Sequence, residues 1–110
     1  MGTAWRETVA AVVTEFGRTV RVNGTQGTDH GMATVALLVG GAVKGGRVLA
    51  DWPGLREQAL YEGRDLAPTR DLRSVLKGVL RDHLGLPESA LNAGVFPDSA
   101  AVAALDGLLA

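Results

Sequence analysis

The sequence predicts an α/β fold, and three observations carry that reading. Two apolar, β-branched runs, Thr8–Thr14 and Ala33–Val39, show no alternation of apolar and polar residues. That pattern suits strands buried on both faces of a parallel sheet. Leu72, Val75, Leu76, Val79 and Leu80 recur at i, i+3, i+4, i+7 and i+8, which is the stripe of an amphipathic helix. Gly40-Gly41 and Gly45-Gly46 punctuate the chain between these segments.

The elements follow in order. The first strand is expected within residues 8–14 and leads into the polar run Glu15-Phe-Gly-Arg18. Residues 15–31 read as a loop, and Asn23-Gly24 signals a turn or a small hairpin inside it. The second strand covers 33–39 and ends at Gly40-Gly41. A short third strand is expected at Arg47-Val-Leu-Ala50, before the turn Asp51-Trp-Pro-Gly54. Residues 55–67 read as irregular or briefly extended, anchored by Leu60, Tyr61 and Leu66. The firm helix spans 70–84, with Thr69 as N-cap, Asp71 in the first turn and Gly85 closing it in the left-handed conformation. One more helical turn is expected from Pro87. The Ala- and Leu-rich tail, 100–110, reads as a short docking helix.

Composition bounds the function classes. The 110 residues suffice for one domain with a modest core. Net charge is −1 and the basic residues are dispersed, which argues against nucleic acid or an anionic membrane as partner. Aromatic residues make up 5%, too few for a base-stacking platform. The chain has no cysteine, which excludes disulfides and thiolate metal sites. No apolar stretch approaches membrane-spanning length, and residues 1–14 lack the pattern of a signal peptide. Two doubly buried strands need more cover than one firm helix supplies. Residues 1–110 are therefore read as a single partial domain that is completed by a larger domain or by a partner, including another copy of the chain.

Chemistry concentrates where the apolar runs meet polar clusters. Glu15, at a strand end, is a candidate metal ligand or general base, with an ion pair to Arg18 or Arg21 as the structural alternative. Arg18 follows a glycine and is a candidate for bidentate anion binding. Asp29 and His30 are candidate ligands for a divalent metal such as zinc or manganese. Their structural alternative is a loop cap in which His30 bonds Asp29. His83 falls in the helix stripe and reads as a core residue. The glycines around Lys44 fit neither the P-loop nor the dinucleotide fingerprint. No Gly-x-Ser-x-Gly elbow or recognisable hydrolase triad occurs.

The runs Thr14-Glu-Phe-Gly-Arg-Thr19, Asn23-Gly24, Gly27-Thr-Asp-His-Gly31, Leu38-Val-Gly-Gly41, Lys44-Gly-Gly-Arg47 and Leu60-Tyr-Glu-Gly-Arg-Asp-Leu66 together resemble the C-terminal quarter of an uncharacterised bacterial family, domain of unknown function 1501. Its members often carry a twin-arginine export signal, so the resemblance implies a periplasmic location. It also implies the C-terminal part of an alkaline-phosphatase-like parallel sheet, with two to three strands, one firm helix and short flanking helices. Members of the alkaline phosphatase and sulfatase superfamily hold two metal ions at the sheet edge. By that resemblance Glu15 takes the place of an acidic ligand and His30 that of a late histidine. Asp29 joins them, and Arg18 faces a phosphate- or sulfate-ester ligand. The superfamily usually places Asp-His at the first position, where this chain has Glu15-Phe16, and a phenyl ring binds no metal. The superfamily's nucleophile lies upstream of the part resembled, so no turnover is expected from this chain alone. The competing expectation is a non-catalytic module whose apolar strand edge pairs with another chain.

Overall fold

The computed structural model describes residues 2–110. They form two compact units. One comprises the chain up to Val12, Leu38–Val48 and Asp71–Ala110, and the other comprises Val13–Leu37 and Leu49–Arg70. The class is mixed α/β, with two small sheets of two strands each. The first unit holds α1 (Gly2–Arg6), β1 (Ala10–Val12), α2 (Leu72–Leu84), α3 (Glu88–Ala90) and a π-helical turn at Leu91–Val95. The second holds β2 (Gly17–Arg18), β3 (His30–Gly31) and a 3-10 turn at Glu57–Ala59. Strand β4 (Leu37–Val39), where the two units meet in sequence, pairs with β1.

Helix α2 follows the predicted stripe. Its N-cap is Asp71 rather than Thr69: the carboxylate accepts a 2.9 Å hydrogen bond from the Arg73 amide. Asp71 wins because its oxygen reaches the second amide of the helix, an N–H that has no partner within the helix itself. Gly85 ends the helix at φ 69° and donates its amide to the Arg81 carbonyl, the left-handed closure expected of glycine. The turn after Pro87 also forms, as α3 continued by the π-helical turn.

The tail is not a helix. Gly107 takes φ 76°, and the tail amides find partners outside the tail. Leu105 donates to the Ser74 carbonyl at 2.9 Å, and Ala110 donates to the Ala42 carbonyl at 2.9 Å. The tail crosses α2 at Gly78, where a Cβ would strike the Leu105 carbonyl. Leu91 and Leu108 are the buried apolar residues of this unit, beside the buried Lys77 and Ser99.

The strands depart most from expectation. In place of a buried parallel sheet, β1 pairs with β4 in a small antiparallel sheet, and all three β1 residues are exposed. Val12 is 55% exposed, Leu37 56% and Val39 48%, so neither run is buried on both faces. Among the described residues no helix packs broadly across this sheet. Apolar character creates a demand for cover but does not supply it. The expected strand at Arg47–Ala50 is absent as well. Arg47 instead turns its side chain to the Lys44 and Gly107 carbonyls, and Val48 is 91% exposed.

No helix among the described residues is long and apolar enough to cross a membrane.

Candidate functional site: a polar β-hairpin

The second unit is organised by the hairpin of β2 and β3, which pair antiparallel with Gly17 opposite Gly31 and Arg18 opposite His30. The two glycines are required by close approach. A Cβ on Gly31 would lie 2.6 Å from the Arg18 carbonyl oxygen, and one on Gly17 would lie 2.6 Å from the Gly31 carbonyl oxygen. Both distances are shorter than real carbon–oxygen contacts allow, so only hydrogen fits.

The connecting loop is fixed by one side chain. Asn23 Oδ1 accepts from the Thr25 amide (2.9 Å), the Thr25 hydroxyl (2.9 Å) and the Gly27 amide (3.1 Å). This is the behaviour that makes asparagine a turn former. Asn23 Nδ2 donates to Asp29 Oδ1 at 3.0 Å, which ties the turn to the candidate carboxylate. The Asp29 amide donates to the Thr19 hydroxyl at 3.0 Å, and the Thr19 amide donates to the Asp29 carbonyl at 3.0 Å.

A further segment buttresses the hairpin. Tyr61–Asp65 closes on itself, with Glu62 at φ 54° and Gly63 at φ 68°. It then bridges to Thr19, and the Val20 amide donates to the Arg64 carbonyl at 2.9 Å. Arg21 Nε donates to the Gly63 carbonyl at 2.7 Å and pairs with Glu57 at 3.0 Å. Asp65, 2% exposed, is held by Arg64 at 2.9 Å. That pairing also raises the Arg64 pKa above its ordinary value, chiefly through the hydrogen bond to Asp65.

Within this frame the candidate residues fall as follows. Arg18 is not paired with Glu15. Its Nε donates to the Thr28 hydroxyl at 3.0 Å, and its Nη2 donates to the Thr28 carbonyl. Thr28 thus takes two of the five guanidinium N–H groups and leaves three without a partner among the described residues. His30 is exposed, and its ring stacks on Phe16 with centroids 4.6 Å apart and planes inclined by 16°. Its neighbour Asp29 is oriented by Asn23, so the imagined Asp29–His30 bond gives way to an Asn23–Asp29 bond and a Phe16–His30 stack. Glu15 is exposed and has no ion pair among the described residues.

Arg18 faces His30 across the ladder, and Phe16, the residue just before β2, stacks on the His30 ring, so these three share one face of the hairpin. Sequence reasoning treated Phe16 only as a missing ligand; its stack on His30 follows from the register of the hairpin. The same reasoning missed Thr28, Asn23 and Asp65 as the groups that hold the site.

Among the described residues, no three His, Asp or Glu side chains converge to hold a metal ion. Asp29 and His30 are donors of the right chemistry, but with Glu15 they do not complete a centre.

These features define a mixed α/β chain whose second unit is organised by a polar hairpin. The sequence profile of a family described as "Protein of unknown function (DUF1501)" matches residues 1–93, and the chain belongs to that family. No curated protein and no solved structure matched the chain.

Proposed function

We propose that the hairpin supplies one wall of a hydrolase-like site for phosphate or sulfate esters, and that ligands from outside the described residues complete the site. The carrying observation is the shared, exposed face of Arg18 and His30. The guanidinium is oriented by a neutral threonine rather than neutralised by a carboxylate, so it keeps its charge and three donors for an oxyanion. On this reading Arg18 grips the ester oxygens, and Phe16 fixes the plane of the His30 imidazole. Asp29, steadied by Asn23, and Glu15 offer carboxylate oxygens.

A divalent ion such as zinc or manganese, shared with outside donors, would neutralise charge developing on the ester. Placement in the alkaline phosphatase and sulfatase superfamily, with a bacterial, periplasmic setting, belongs to the same proposal and rests on the motif resemblance. The test is elemental analysis of the dialysed chain beside His30→Ala. Metal near one equivalent that is lost in the variant supports the reading; equal metal in both proteins contradicts it, and metal in neither makes this chain at most a scaffold half whose metal needs the outside donors.

The exposed residues of β1 and β4 favour a second reading, a non-catalytic module that pairs with another polypeptide. It predicts that His30→Ala leaves association unchanged, whereas Val12→Lys abolishes it in sedimentation velocity.

A further inference from the structure

Lys77 lies in the middle of α2 and is 1% exposed. Its ammonium donates to Asn92 Oδ1 at 2.7 Å, the Ser99 carbonyl at 2.7 Å and the Val102 carbonyl at 2.8 Å. Three donors meet three acceptors, so the cation is fully hydrogen-bonded although no carboxylate pairs with it among the described residues. Burying an ammonium among neutral oxygens is costly unless every proton is matched. Two of the three acceptors lie beyond residue 93, where the family match ends.

From Val102 the chain runs on over α2. Leu105 donates to Ser74, and the tail then reaches residues 42–44, where Lys44 donates to the Leu108 carbonyl at 2.9 Å and Val43 bridges Leu109. The tail thereby takes up backbone groups at 42–44, a turn and a single bridge residue beyond β4, that would otherwise be left open.

We infer that residues 99–110 are a releasable strap that covers the backbone groups at Ala42–Lys44, and that Lys77 is its pin. Breaking the pin frees the strap and uncovers those groups, while the β2–β3 hairpin stays formed.

The test is residue-resolved amide hydrogen exchange on the whole chain, comparing wild type with Lys77→Met and with the milder Asn92→Ala. Methionine keeps the bulk of lysine and strands all three acceptors, whereas Asn92→Ala removes one acceptor and leaves the ammonium its two carbonyls. The expected result is faster exchange at Lys44, Leu105 and Ala110, by about tenfold or more in Lys77→Met and less in Asn92→Ala, with Thr19 and Val20 unchanged. Equal acceleration at all five amides would make Lys77 a general stabiliser, and no change at Lys44 and Ala110 would mean that it pins nothing; either result overturns the inference. Should Lys77→Met fail to fold, Asn92→Ala decides between the same outcomes.

Discussion

Two polar clusters in this chain are built on opposite plans. Around Lys77 the side chain points inward and every donor finds a protein acceptor. In the β2–β3 hairpin the backbone is fastened by Asn23 and Thr19, and Thr28 orients the Arg18 guanidinium, while Arg18 and His30 remain exposed on one face. A group that is fully satisfied inside holds a fold together. A group held rigid by its neighbours, yet left with unused donors at the surface, is placed for something outside the chain. The difference assigns stability to the first cluster and recognition to the second.

Substitutions should sharpen or break that division, beginning with the largest. Lys77→Met should cost the first unit about 3 kcal/mol, since each stranded buried acceptor costs about 1–3 kcal/mol; urea unfolding followed at the α2 amides measures it, and a loss below about 1 kcal/mol there would remove Lys77 from the stabilising side. Gly31→Ala places a Cβ 2.6 Å from the Arg18 carbonyl oxygen, backbone that cannot swing aside. It should cost about 2 kcal/mol and shift the amide resonances of Arg18 and Asp29, while those of α2 stay in place.

Asp71→Ala should cost about 1 kcal/mol through the lost cap. The hydrogen bond from Arg73 holds the Asp71 carboxyl below its ordinary value, and that from Arg81 does the same for Asp82. The stability these pairs add is therefore present above the unfolded carboxylate value, about pH 3.9, and is lost as pH falls through the lowered folded values. Circular dichroism of the helix against pH should show the loss only on the acid side, and less of it in Asp71→Ala. The smallest effect belongs to His30→Ala, within about 0.5 kcal/mol, because an exposed ring stacked on Phe16 carries little of the fold. A large destabilisation would move His30 to the structural cluster.

How much of this was legible in the sequence differs between the elements. Helix α2 was readable because its signals are local: the apolar period, a carboxylate two residues before Arg73 and a glycine at the stop. The turn at Asn23 was readable for the same reason, since an asparagine bonds its own neighbours. The strands were misread because burial depends on what covers an element, and the runs at 8–14 and 33–39 say nothing of cover. The tail was misread because its alanines favour a helix, while its amides are taken by Ser74 and Ala42, partners 31 and 68 residues away in sequence. In the site, Asp29, His30 and Arg18 could be singled out by chemistry alone. Their true partners, Asn23, Phe16 and Thr28, could not, because a hydrogen bond or a stack is chosen by register, and register is set only once Gly17 faces Gly31.

The assignment of the hairpin as the recognising part is tested most directly at His30, with the half-buried His83 of α2 as the internal control. Their imidazole resonances can be followed by NMR while zinc, and then inorganic phosphate, is added to the intact chain. The expected result is a saturable shift of His30, with Arg18 side-chain resonances responding to phosphate and His83 unmoved. No response at His30, or equal responses at both histidines, would contradict the assignment of the hairpin as the recognising part of the molecule.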